Sequence, residues 1–336
     1  MRSKDGANVR EIDAYASHLI DRIRQGDLAA YTAMAEFVDV FLQGRVPQYL
    51  GAVDGERLRA RARVDIPKAA RRLRSTPDRA TGWICRKIAM IQKDHAKWVA
   101  ADRDRGADLQ RRLLPQGPLR THGLDVAFDL RPFDAMSGDF VHYSATTKDV
   151  VIAMGDVMGK GSPAALLAWY VLGQLRVLSK RIRDPRRLTS RLDALLSENK
   201  IGAEYTTLVV CRWQPDKGHL TICNGGNAPP HLIRQGRVHR LNCLNGVVGM
   251  LPGTQFVHER LHIRPGDVLL ITSDGLTEPP RRTDTQLSAD DFVAAITPQD
   301  HQMAESLLRR YWSTLDARAT TRMAFDDETI VIMRFE

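Results

Sequence analysis

From Leu124 to the C-terminus the sequence runs in short apolar segments: LDVAFDL, DVVIAMGDV, TTLVVCRW, HLTICNGG, HLIRQGRVHRL, DVLLITSDG and TIVIMRF. Each has the length of one strand, and glycine, proline and asparagine turns separate them. Two longer stretches with helical spacing interrupt the series. They are PAALLAWYVLGQLRVLSKRIRD with RLTSRLDALLSENK behind it, and ADDFVAAI through SLLRRYWSTLDARA. Many strands with few but long helices predict antiparallel sheets covered by helices, an α+β layered domain. The sequence contains no internal repeat and no low-complexity tract.

The first 115 residues have a different texture. IDAYASHLIDRIRQ and LAAYTAMAEFVDVFLQG place apolar residues at three- and four-residue steps, the spacing of helices with one buried face. A further helical segment starts at Ile84. Positions 84, 88, 91, 95, 98, 102, 105 and 109 alternate steps of four and three, as a coiled-coil seam does. Ile84, Ile88, Ile91, Trp98 and Leu109 suit that seam, whereas His95, Asp102 and Arg105 do not. The pattern is compatible with a homodimer and equally with an intramolecular helix pair. The expected organisation is a helical regulatory or partner-binding domain over 1–83, a linker helix over 84–118, and a catalytic domain over 119–336.

Composition excludes several classes. Of 336 residues, 43% are hydrophobic and 26% charged, which suits folded domains rather than a disordered chain. The apolar run AALLAWYVLGQL is far shorter than the roughly 20 residues needed to span a bilayer, so it reads as a core helix. No signal peptide is evident, and the expected location is the cytoplasm. Cys85, Cys211, Cys223 and Cys243 are scattered without a CxxC pair, which argues against structural zinc. The net charge of +9 is concentrated in residues 51–115, with 17 basic and 8 acidic side chains. That block lacks the interleaved aromatics of a nucleic-acid platform, so a solvated helix face is expected there and nucleic acid is not an expected partner.

AMGDVMGKGSP, at 153–163, brings three glycines together with a lysine. It fails the phosphate-loop pattern, because only three residues lie between Gly155 and Gly159, and Gly161, not serine or threonine, follows Lys160. What recurs instead is an aspartate beside a glycine or a second aspartate at the edge of an apolar run. SGDF gives Asp139, IAMGDV gives Asp156, LLITSDG gives Asp274, and FDDETIVIM gives Asp326 and Asp327. One such aspartate ordinarily caps a turn. Several in one domain, gathered at a sheet edge, would repel one another unless a cation intervened. All-oxygen ligands favour hard Mg²⁺ or Mn²⁺. Two such ions suit in-line attack of water on a phosphoryl group.

These motifs resemble the PPM-type (type 2C) metal-dependent serine/threonine phosphatases, in their bacterial SpoIIE/RsbU branch. LQRRLLPQ resembles the branch's entry segment, SGDF its GGDF, and GDVMGKGSPAALL its GDVSGKGxPAALL signature. ICNGGNAPPHLIR resembles its AGHxPPLL hairpin, RPGDVLLITSDGLTE its PGDxLLLYTDGLTE, and FDDETIVIM its closing DDxTLLV. The resemblance spans about 110–336, in the family's order. It implies an αββα sandwich, preceded here by the all-α region, with two Mn²⁺ or Mg²⁺ ions at one sheet edge.

Carried over by motif, Asp156 would bridge both ions and the Val157 carbonyl would help hold one. Asp274 and Asp326 would complete one site, Asp139 would support the other, and Asp327 would be an outer ligand. Gly155, Gly159 and Gly161 would shape the loop and Gly275 the turn after Asp274. Lys160 would meet a substrate phosphate or sit as a solvated turn residue. The chain departs from the pattern at Ser137, at His142 and at Asn224-Gly225-Gly226-Asn227. None of these removes a core acid, so activity is expected, with His142 and Asn227 as candidates for substrate docking. His142 also reads as an exposed strand residue without a role. The resemblance further implies a phosphorylated STAS-type anti-sigma-factor antagonist as substrate and a regulatory protein bound to the N-terminal helices. A catalytically silent scaffold of the same fold is the alternative, and the intact acids speak against it.

Overall fold

The computed structural model describes residues 100–199, 205–277, 303–318 and 326–336, with isolated positions at 18, 22, 25, 27, 29, 97 and 98. The chain divides into two compact units, Met1–Ala100 and Ala101–Glu336. The expected helical domain over 1–83 lies almost wholly outside the described residues, as do seam positions 84, 88, 91 and 95.

In the second unit, helix α1 (residues 101–113) leads into β1 (Leu119–Thr121), β2 (Leu124–Arg131), β3 (Phe140–Ala145) and β4 (Val150–Val157). Helices α2 (Gly161–Leu178) and α3 (Pro185–Asn199) follow. Next come β5 (Thr206–Gln214), β6 (His219–Gly225), β7 (His231–Arg234), β8 (Arg237–Arg240), β9 (Glu259–His262) and β10 (Val268–Thr272). The short helix α4 (Asp274–Thr277), α5 (Ala304–Arg318) and β11 (Glu328–Phe335) complete the unit.

All strand pairings are antiparallel and make two sheets, β1-β2-β11-β10-β7-β8 and β3-β4-β5-β6-β9. The expectation of two antiparallel sheets flanked by helices holds.

The central strands read as continuous apolar runs because both of their faces are covered. In β4, Val150, Ile152 and Met154 enter the core between the sheets, while Val151 and Ala153 face α2 and α3. In β11, Val331, Met333 and Phe335 point to the same inter-sheet core, and Ile330 and Ile332 pack under α5. Helix α2 buries Ala164, Ala165, Leu167, Ala168, Val171, Leu172 and Leu175, so AALLAWYVLGQL is the core helix its length implied. Among the described residues no helix is long and apolar enough to cross a membrane.

Candidate active site

The antiparallel topology brings the acids to one end of the sandwich. Asp156 closes β4 and Asp139 precedes β3, its antiparallel neighbour; Phe140 pairs with Gly155. In the other sheet Asp274 follows β10, and Asp326 and Asp327 precede β11, whose Ile330 pairs with Thr272.

Specific hydrogen bonds tie the two sheets together at this end. The Thr329 hydroxyl donates to Asp139 Oδ2 at 2.5 Å. Asp327 accepts backbone N–H bonds from Phe133 at 2.8 Å and Gly138 at 2.7 Å, one on each oxygen. Asn227 Nδ2 donates to the Thr272 carbonyl at 3.1 Å, and its Oδ1 accepts from Thr207, the residue opposite Asp156 in the ladder.

The electrostatics at this end are strained by like charges. Asp139 is 1% exposed, and burial followed by the charge of Asp156 raises its carboxyl well above the usual range. Burial, then the charge of Asp274, pushes Asp156 up to about 7. Counted as two carboxylates, the pair has no donor between them, and Asp139 Oδ1 is buried without a partner. One proton held between Asp139 and Asp156 turns the contact into a hydrogen bond. A cation would relieve the same repulsion.

Two close approaches require glycine. A Cβ on Gly138 would lie 3.1 Å from the Val157 carbonyl oxygen and 3.4 Å from Asp156 Oδ1, inside the space these oxygens frame. A Cβ on Gly275 would lie 2.1 Å from the Asp327 carbonyl oxygen. The loop after Asp156 turns through Gly159 (φ 104°) and Gly161 (φ 73°) before α2 begins. Lys160 lies between them and reaches back to Asp326, Nζ to Oδ2 2.9 Å, above the Phe133 ring.

As the side chains stand, no three carboxylate, imidazole or thiol groups among the described residues converge closely enough to hold an ion. Three of the five acids bond to other neighbours: Asp326 to Lys160, Asp139 to Thr329, and Asp327 to backbone amides. The orphaned Asp139 oxygen, the raised carboxyls and the space kept by Gly138 nevertheless fit an oxygen-liganded divalent cation. Asp139, Asp156, Asp274 and Asp326 would hold it, with the Val157 carbonyl beside them.

Three residues named from the sequence have partners that the sequence did not show. Asp327 fastens the 132–138 loop with both oxygens, while its charge still bears on Asp139 and Asp156. His142 is buried, not an exposed strand residue; its Nε2 lies 2.9 Å from Ser179 Oγ at the far end of α2. It faces the helix layer and not the acids. Ser137, in place of a glycine, is fully buried and uses its hydroxyl to accept the Asp139 N–H at 2.9 Å. Gln110 of α1 grips the Ser137 backbone from both sides, accepting at 2.9 Å and donating at 2.5 Å. Thr329 and Gln110 were not singled out from the sequence, because their partners are remote along the chain and no local spacing marks them.

Known proteins resemble this chain in sequence and in fold. The profile of the Stage II sporulation protein E (SpoIIE) family matches residues 146–336, more than half of the chain. The phosphoserine phosphatase RsbU of Bacillus subtilis (strain 168) is 24% identical over 230 residues, 68% of this chain and 68% of that protein. The SiaA-PP2C domain of Pseudomonas aeruginosa matches with a TM-score of 0.62 and 18% identity, covering 72% of this chain and 98% of that one. RsbX in complex with magnesium matches with a TM-score of 0.50 and 15% identity, covering 65% and 98%. The two solved structures establish the likeness of fold.

Proposed function

The chain belongs to the Stage II sporulation protein E (SpoIIE) family of PP2C-type serine/threonine phosphatases, and from that premise we propose how its own site works and on what. The reaction is hydrolysis of a phosphoserine or phosphothreonine monoester with two Mn²⁺ or Mg²⁺ ions, held by Asp139, Asp156, Asp274 and Asp326. The observation that carries this reading is the buried pair Asp139 and Asp156, crowded by carboxylates and with one oxygen left unsatisfied. The magnesium complex of RsbX on a similar fold supports the choice of ion.

Bound divalent ions in such a site supply an activated water and offset charge on the phosphoryl oxygens. The chain's residues prepare the place for this. Thr329 orients Asp139 through its hydrogen bond, and Gln110 with Ser137 fixes the loop that presents it. Gly138 keeps side-chain bulk away from Asp156 and the Val157 carbonyl. Asn227 holds the ends of β5 and β10 at constant separation. Lys160, half-exposed at the rim, is placed to exchange Asp326 for a substrate phosphate oxygen.

The substrate is a phosphorylated STAS-type anti-sigma-factor antagonist in a partner-switching circuit. A regulatory protein acts on residues 1–83, and residues 84–118 link that region to the catalytic unit as a homodimer seam. The similarity to RsbU over two thirds of both chains supports this assignment. The test is Mn²⁺-dependent release of phosphate from p-nitrophenyl phosphate by the wild type and by Asp156→Ala. A rate confined to the wild type is expected. Equal rates, or none from the wild type with either metal, would overturn the mechanism.

A further inference from the structure

The edges of the two sheets are not alike. In the six-stranded sheet one edge strand, β1, is only three residues long, and the other, β8, reads Arg-Val-His-Arg. In the five-stranded sheet β9 reads Glu-Arg-Leu-His. Short length and charge are the usual devices that keep an edge from pairing with another chain. The fourth edge, β3, has neither: Phe-Val-His-Tyr-Ser-Ala is six residues long and carries no acid, lysine, arginine or proline.

The phase of the ladder shows which backbone groups this edge offers. Thr146 N–H donates to the Asp149 carbonyl at 2.9 Å, which makes that pair hydrogen-bonded. Alternation along the antiparallel pair then makes Val141, Tyr143 and Ala145 the non-bonded positions, with N–H and C=O directed away from β4; Val141 is fully buried, so the open part of the edge is Tyr143 and Ala145. Among the described residues none of the four backbone groups of Tyr143 and Ala145 has a partner.

A groove of about 540 Å³ runs along this edge, and residues 141–146 form its floor without interruption. A groove lined by five consecutive residues of β3 and by Thr146 after them follows the backbone edge, not a face. Leu113 and Pro115 form one wall, and Arg176 and Lys180, both exposed, form the other. Among the described residues no aspartate or glutamate lines it. The positive field is felt at His142, whose ring is held down at about 4 by burial and then by Arg176, Arg183 and Lys180.

We propose that the outer edge of β3 takes up an extended acidic segment of another protein as a sixth strand of this sheet. Backbone pairing with Tyr143 and Ala145 supplies the affinity, and Arg176 and Lys180 select acidic side chains. The open stretch from Tyr143 to Thr146 spans about 13 Å, which fits about four residues of partner.

The test uses the full chain and fluorescein-labelled Glu-Val-Glu-Val-Glu-Val amide, followed by fluorescence anisotropy. The comparisons are the same peptide with lysine for glutamate and with alternate backbone N-methylation. Saturable binding of the acidic peptide is expected, at least tenfold weaker for both controls. Arg176→Glu, Lys180→Glu and Ala145→Pro should each weaken it at least tenfold with unchanged melting temperature. Proline is tolerated at an edge position whose N–H points outward, so Ala145→Pro spares the β4 ladder. Hydrogen exchange of the 140–146 backbone should slow when the peptide is added. No saturation by about 1 mM, equal binding of the lysine or N-methylated peptide, or unchanged exchange would each overturn the proposal. Slow exchange at 140–146 before any peptide is added would overturn it too, because the edge would already be filled by the chain itself.

Discussion

Strand β4 carries a carboxylate at each end, and the two have opposite surroundings. Asp149, just before the strand, is met by Arg183 and Arg212 and by the Thr146 hydroxyl. Burial pushes its carboxyl up, but the bonds from Arg183, Thr146 and Arg212 outweigh this and hold it below the ordinary value. Asp156, seven residues along the same strand, faces Asp274, Asp139, Asp326 and Asp327, and its carboxyl is raised to about 7. The fold neutralises one end with its own cations and leaves the other in excess negative charge. An end built to be stable is already paired, and an end built to bind a cation is not.

The comparison breaks most clearly if the two ends are emptied in turn. Asp156→Ala should lower metal-dependent phosphate release by roughly 10³-fold, the scale of losing a principal electrostatic element of a site. It should leave the metal-free protein at least as stable as the wild type, because a repelled carboxyl is removed. Asp149→Ala should do the reverse. It strands Arg183 and Arg212, so unfolding in urea should report a loss of about 3 kcal/mol, with the rate per folded molecule little changed. If Asp149→Ala abolished the rate while Asp156→Ala only destabilised, the roles assigned to the two ends would be exchanged.

Backbone clearance at the acid end gives the next effect. Gly275→Ala places a Cβ on the Asp327 carbonyl, which must move, and with it the bonds to Phe133 and Gly138. A loss of about 2 kcal/mol is expected from overpacking, measurable by denaturant titration, with a fall in kcat from the displaced loop. Gly138→Ala has more room, so it should weaken apparent Mn²⁺ affinity, read from the metal dependence of the rate, with little change in melting temperature.

The two ends also respond to pH in opposite senses. Asp156 is raised when folded, so between roughly pH 4 and pH 7 the folded chain keeps a proton that the unfolded chain releases. Raising the pH through that window therefore removes stability from the metal-free protein. Asp149 is lowered when folded, so its contribution is present above the ordinary carboxylate value and is lost as the pH falls below it. Melting curves without metal should thus decline from about pH 5.5 to 8 by roughly 5 °C, and Asp156→Ala should flatten the decline. Added Mn²⁺ should raise the melting temperature more at pH 8 than at 5.5, because protons and metal compete for the same oxygens.

How far the sequence revealed these ends follows from how local each signal is. Strands β4, β10 and β11 were legible because both faces of each are apolar, so the whole strand reads as one run. FVHYSA was not among the runs read as strands: it mixes Tyr, His and Ser, and only the packing of α2 makes His142 a buried residue. The core acids were legible because each sits at the edge of an apolar run, where a sheet must end. Thr329 and Gln110 were not, since a bond to Asp139 across 190 residues, or to Ser137 across 27, leaves no periodic trace. For the same reason Asp327 could be recognised as an acid of the site but not as the clasp of the 132–138 loop.

The smallest effect tests whether the acid end is wholly without its own cation. Lys160 contacts Asp326 at 2.9 Å, but the two side chains are 50% and 41% exposed, and an ion pair so open to water is worth under about 1 kcal/mol. Lys160→Ala should therefore change the melting temperature by no more than about 2 °C. If Lys160 hands its charge to a substrate phosphate, the substitution should raise KM for a phosphoprotein severalfold, and Lys160→Arg should restore most of it. If instead the ammonium only occupies the place of a metal, Lys160→Ala should tighten apparent Mn²⁺ affinity and leave KM unchanged. The first pattern makes Lys160 part of substrate recognition. The second makes it a weak counterpart of the arginines that neutralise Asp149.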